Sequence, residues 1–84
     1  MVETLVRAIE VLGPGCARCH ETYRVVRHVV ESAGLACSVV KNESIQRMIE
    51  LGVMATPAVV VDGGVVISGR IPKAVEVRQL LGLA

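Results

Sequence analysis

Apolar positions along this chain fall into two kinds of run. Residues 5–12 are apolar and rich in β-branched side chains, interrupted only by Arg7 and Glu10, a pattern that suits a strand covered on both faces. Gly13-Pro14-Gly15 ends that run. Over residues 16–33 the apolar positions change period: Cys19, Tyr23, Val26, Val30 and Ala33 recur at helical spacing. Val25 and Val29 widen the stripe, while Arg18, Glu21, Arg24, Arg27 and Glu31 occupy most of the opposite face. Gly34 then supplies a residue able to stop a helix in the left-handed region.

The same reading continues to the end of the chain. Residues 35–41 predict a second strand, and Asn42 is a suitable N-cap for a helix that buries Ile45, Met48 and Ile49 before Gly52 stops it. Residues 58–61 and 65–67 are two valine-rich strands around Asp62-Gly63-Gly64, a turn of residues that tolerate positive φ, so they form a hairpin. Pro72 stands where a first-turn proline is favoured, and Ala74, Val77, Leu80 and Leu81 supply the inward stripe of a last helix. The order is β-α-β-α-β-β-α. It predicts an α/β fold in which the first two strands are parallel and the last two antiparallel, giving a four-stranded mixed sheet with helices on both faces. In such sheets chemistry gathers where parallel strands end, which is where residues 13–19 leave the first strand.

Composition narrows the function. Eighty-four residues make a single domain, residues 1–84. One tyrosine and no Trp or Phe remove the stacking platforms of single-strand nucleic-acid binding, and a net charge of +1 without a basic run argues against phosphate-backbone binding. The longest apolar runs are strand-sized, so no membrane span is expected. The start Met1-Val2-Glu3-Thr4 does not read as a secretory signal, and three cysteines do not suggest a secreted disulfide scaffold, so a cytoplasmic address is expected.

Two motifs carry chemistry. Cys16-Ala17-Arg18-Cys19 lies where a strand gives way to a helix, and i, i+3 spacing puts both sulfurs on one face of the first helical turn, close enough to bridge. Cys16 stands where unpaired amides and the positive end of the helix dipole favour an anion, lowering its thiol pKa. Cys19 is the more sheltered thiol, suited to resolve an intermediate. Thr56-Pro57 precedes the valine strand; the proline marks a strand's first residue or a plain turn, and a cis bond there would turn Thr56 backbone groups toward a substrate peptide.

Together with the Asp62-Gly63-Gly64 hairpin and Ser68-Gly69-Arg70, these motifs resemble the thioredoxin superfamily, and within it the small prokaryotic redox-active disulfide proteins of glutaredoxin size. The resemblance implies a minimal thioredoxin-like fold, a nucleophilic Cys16, a resolving Cys19 and a cis Pro57 packed near the disulfide, with Thr56, Pro57 and Gly69 on the substrate side. The leading reading is a small thiol-disulfide oxidoreductase acting on a protein disulfide; the exchange needs no cofactor, and a thioredoxin-reductase-like electron donor recycles the pair. Gly15 stands where thioredoxins carry tryptophan, and Ala17-Arg18 where they carry glycine-proline. Ser68-Gly69-Arg70 lacks the aspartate with which glutaredoxins hold glutathione, leaving Arg70 as the group there able to hold a carboxylate.

Other residues are weighed beside this pair. Arg18 is a cation able to stabilise the Cys16 thiolate, or part of a solvated helix face; His20 is more simply the latter, and His28 a surface residue. Glu10, six residues before Cys16, is either an internal carboxyl with a raised pKa, at the spacing of the thioredoxin proton-relaying acid, or a carboxylate at the exposed side or paired with an arginine. Cys37 reads as a small core hydrophobe and Tyr23 as core with its hydroxyl near the surface. The alternative function is a soft-metal module in which the CxxC thiolates hold Cu(I) or Zn(II), a zinc site needing a dimer or another ligand such as His20 to complete it. A third is an interaction domain with idle thiols.

Overall fold

The computed structural model describes residues 8–15 and 17–83; Cys16 and the part of the first apolar run before Ala8 lie outside the described residues. The elements follow the expected order: β1 (Ala8–Leu12), α1 (Ala17–Ala33), β2 (Ser38–Asn42), α2 (Ile45–Glu50), β3 (Ala58–Val61), β4 (Gly64–Ser68) and α3 (Ala74–Leu80). The strands form one sheet in the order β2-β1-β3-β4. β1 runs parallel to β2 and antiparallel to β3, and β3 and β4 form the expected antiparallel hairpin. Asp62 and Gly63 both have positive φ, 49° and 87°, as a two-residue turn matched to the strand twist requires. Among the described residues no helix is long and apolar enough to cross a membrane.

Alternation along the central strands sends side chains to two packed layers. Ile9, Val11, Val59 and Ile67 meet Val26, Val29 and Val30 of α1 and Val77 and Leu81 of α3. On the other face Leu12, Ala58 and Val60 meet Met48 of α2, flanked by Leu51 and Val53. Each fully buried aliphatic side chain contributes about 1.5–3 kcal/mol. Nine buried residues in the first cluster against four in the second therefore place most of the hydrophobic stabilisation on the α1/α3 side. Within α1 the one buried polar residue, Thr22, is satisfied because its hydroxyl donates to the Arg18 carbonyl at 2.9 Å. The helix ends at Gly34 (φ 67°), where the Leu35 amide donates back to the Val30 carbonyl.

Four local expectations are corrected. β2 runs over Ser38–Asn42, because its pairing with β1 begins at Ala8 with Ser38 and ends at Leu12 with Asn42; Leu35 and Cys37 pack against the core from the preceding loop. Since Asn42 is held in that ladder, the N-cap of α2 is Ser44, whose hydroxyl accepts from the Arg47 amide. α2 is only six residues long and turns a single residue inward: Met48 is 8% exposed, whereas Ile45 and Ile49 are 68% and 72% exposed. At the C-terminal end Pro72 is buried one residue before an extended Lys73, so α3 starts at Ala74; Val77 and Leu81 point inward, and Ala74 and Leu80 are exposed.

Candidate thiol site

β1 delivers the chain to the site through Gly13, whose amide donates to the Asn42 carbonyl at 3.1 Å and extends the β1–β2 pairing by one residue. Gly13 is buried, and the reason for a glycine lies across from it. A Cβ built there would stand 2.0 Å from the Cys19 sulfur and 3.7 Å from the Thr56 Cβ. The Gly13 backbone, the Cys19 thiol and the Thr56 side chain therefore share one small space. Cys19, in the first turn of α1, is 0% exposed. Next to it, the Thr56–Pro57 peptide bond is cis and Pro57 is buried at the start of β3.

A second set of contacts joins this corner to the end of β4. The Gly69 amide donates to the Pro57 carbonyl at 2.9 Å, and the Ser68 hydroxyl donates to the Ala55 carbonyl at 3.1 Å. Gly69 has φ 82°, and a Cβ on it would stand 3.1 Å from the Ala55 Cβ, so glycine is required there by both conformation and space. The Arg18 guanidinium donates to the Gly69 carbonyl at 3.1 Å. Of the residues singled out from sequence, Cys19, Arg18, Thr56, Pro57 and Gly69 are thus brought together. Cys16 lies outside the described residues, and it precedes Ala17, the first residue of α1.

Glu10 is the arginine-paired carboxylate of the two alternatives. On the α2 side of the sheet it receives Arg47 Nη2 at 2.8 Å and Nε at 3.3 Å, together with Asn42 Nδ2 at 3.1 Å. Arg47 holds the Glu10 carboxyl below the usual carboxylate range, outweighing partial burial that pushes it up. Arg70 is also committed: it grips both carboxylate oxygens of Glu76 in the first turn of α3, which lowers the Glu76 carboxyl. The His20 ring lies 3.3 Å from the Lys41 ammonium and His28 lies 3.5 Å from the Ser32 hydroxyl, both exposed on α1. Tyr23 is half-buried against the core and its hydroxyl accepts from Arg27. Cys37 also packs against that core, and burial raises its thiol pKa.

Two residues at the site escaped the sequence reading. Gly13 looks like a turn former in Gly13-Pro14-Gly15, and its close approach to Cys19 has no local signature. Glu43, in the turn between β2 and α2, lays its carboxylate against Gly15: a Cβ on Gly15 would be 3.0 Å from Glu43 Oε2 and 3.4 Å from Cδ. Chemically, a thiol closed to solvent in this way is shielded from reagents in bulk water.

Comparison with known proteins gives the same assignment. A family model described as a thioredoxin domain matches residues 7–82. A protein named thioredoxin from Methanocaldococcus jannaschii is 35% identical over 81 residues, covering 96% of this chain and 92% of that protein. Another protein named thioredoxin, from Methanothermobacter thermautotrophicus, is 30% identical over 73 residues, covering 87% of this chain and 95% of its own. With its four-stranded mixed sheet and a CxxC motif entering α1, this chain belongs to the thioredoxin domain family and is a thioredoxin-like redox protein.

Proposed function

We propose that the chain is a thiol-disulfide oxidoreductase that exchanges a Cys16–Cys19 dithiol with disulfides of protein substrates. The Cys16 thiolate attacks one sulfur of the substrate disulfide; a Cys16–substrate S–S bond forms, the substrate S–S bond breaks, and the departing thiolate takes up a proton. Cys19 then loses its proton and attacks the Cys16 sulfur. The mixed disulfide breaks, the second substrate thiol leaves and Cys16–Cys19 is left oxidised, two electrons and two protons having passed to the substrate. A reductase of the thioredoxin-reductase type returns the pair to the dithiol, and the thiol chemistry suits a reducing compartment such as the cytoplasm.

The observation that carries this reading is the seat of Cys19: fully buried, against Gly13 and beside Thr56, three residues along the helix from a cysteine at its start. A thiol so enclosed meets a partner sulfur at high effective concentration and meets little else. Arg18, anchored on Gly69 and two residues from Cys16, supplies positive charge that favours the thiolate. Thr56 lies outside the β3 ladder, which begins at Ala58, and offers its backbone to an extended substrate. Reduction of insulin with dithiothreitol as electron source tests the reading. The wild-type protein accelerates precipitation of the B chain; a rate no higher than that of dithiothreitol alone refutes it.

A further inference from the structure

We propose that Glu43 is a specificity-determining residue of the thiol loop: its carboxylate, seated on Gly15 beside Cys16, favours disulfide substrates carrying positive charge near the scissile bond and disfavours anionic ones. The inference deepens the redox reading and rests on Cys16 being the attacking thiol.

The placement of Glu43 is built rather than incidental. Asn42 on one side of it closes β2, its carbonyl accepting from Gly13 and its side-chain amide donating to Glu10. The Asn42 Oδ1 also accepts from the Ser44 amide at 2.9 Å, and Ser44 caps α2. Glu43 is thus the middle residue of a turn pinned on both sides, and its carboxylate comes to rest where a side chain on residue 15 would go. Gly15 has φ 84° and no side chain to hold the acid away. The next Cα along the chain, that of Cys16, is only about 3.8 Å further on. Chain connectivity alone thus keeps the Cys16 sulfur within about 11 Å of the Glu43 carboxylate, on the order of the roughly 10 Å screening length at 0.1 M salt and well inside the roughly 30 Å at 0.01 M.

The charge is also left available. Among the described residues no hydrogen bond or ion pair engages the Glu43 carboxylate. The nearby cations are occupied elsewhere: Arg47 with Glu10 and Glu50, Arg18 with the Gly69 carbonyl, and Lys41 beside His20 and the Tyr23 ring. The loop therefore carries a negative group on its α2 side and Arg18 on its β4 side. An approaching cationic group finds its complement on the α2 side, and an anionic one meets repulsion there.

The test compares reagents that differ in charge. In the reduced protein at neutral pH, alkylation forms a Cys16 S–C bond with loss of iodide. Its rate is read at the Cys16 peptide by mass spectrometry for neutral iodoacetamide and anionic iodoacetate. At low salt, Glu43→Gln raises the iodoacetate-to-iodoacetamide rate ratio by roughly two- to five-fold, the size expected of one charge acting through a water-like dielectric. High salt shrinks the change, Glu43→Lys raises the ratio further, and Glu43→Asp keeps it near wild type. Glu43→Gln and Glu43→Lys also lower the preference of the reduced protein for cystamine, a cationic disulfide, over anionic dithiodipropionate, and Glu43→Asp leaves it near wild type. A ratio unchanged in Glu43→Gln, with Cys16 reactive, overturns the role of Glu43 alone. An unreactive Cys16 in the wild-type protein overturns the redox reading and this inference with it.

Discussion

Replacing Gly13 by alanine is the sharpest probe of how the buried thiol is held. The new methyl would lie 2.0 Å from the Cys19 sulfur and 3.0 Å from its Cβ, where ordinary contact begins near 3.4 Å. Gly13 is not among the glycines with positive φ, so the backbone tolerates alanine and the effect is steric. Overpacking a closed core costs about 1–3 kcal/mol, offset by about 0.4–1 kcal/mol from the stiffer unfolded chain. For a domain of this size each kcal/mol lowers Tm by about 4–8 °C, which puts Gly13→Ala on the order of 5–15 °C below wild type. The strain is relieved by rotating the Cys19 sulfur away. Release of a mixed disulfide should then slow by roughly tenfold or more, since sub-ångström placement governs such intramolecular steps.

Reversible unfolding of the reduced protein in urea measures the first effect, and a double-mutant cycle with Cys19→Ala isolates its cause. Without the sulfur, the Gly13→Ala penalty should fall by about 1 kcal/mol or more, because the two residues are in direct contact. Equal penalties in the two backgrounds would refute the seating of Cys19 on Gly13.

Other predictions concern the surrounding supports. Glu10→Gln should cost about 1 kcal/mol at pH 7 through loss of a partly exposed bidentate pair. Because the folded Glu10 carboxyl is depressed, its stabilisation is present above the unfolded carboxyl range and lost as pH falls through the lower folded value. The gap between wild type and variant should therefore close in acid, and urea titrations showing a constant gap would contradict this. In α2, Met48→Ala should cost about 2 kcal/mol or more, while Ile45→Gln and Ile49→Gln should each stay within about 0.5 kcal/mol. Chemical denaturation giving the reverse ranking would contradict the burial pattern. Gly69→Ala should destabilise by at least about 1 kcal/mol through its left-handed conformation and the Ala55 contact. Arg18→Gln, at an exposed position, should leave Tm nearly unchanged yet slow Cys16 alkylation by iodoacetamide; an unchanged rate would remove Arg18 from the site.

What the chain pattern reveals divides along the range of the interactions involved. β3 is legible because Ala58, Val59 and Val60 are all buried, so a continuous valine run carries the signal by itself. The hairpin turn is legible because Asp62 and Gly63 must adopt positive φ. α2 is misread at Ile45 and Ile49 because their period fits an inward stripe, while this six-residue helix buries Met48 alone, against Leu12, Ala58 and Val60 of the central strands. Asn42 has the chemistry of an N-cap, and only its pairing with Leu12 shows that it is taken by the sheet. The partner of Glu10 is 37 residues away in α2, a choice no local pattern can express. Gly13 and Glu43 belong to the same class: each matters for a neighbour that the fold, and not the chain, places beside it.

The division of labour between the two cysteines is tested most directly by trapping. A labelled disulfide peptide is mixed with the reduced Cys19→Ser and Cys16→Ser proteins, and the adducts are mapped by mass spectrometry. A stable mixed disulfide on Cys16 in the Cys19→Ser protein, with none on Cys19 in the Cys16→Ser protein, is the predicted outcome. Capture at Cys19, or equal capture at both, would contradict the account of a reactive first thiol and an enclosed second one.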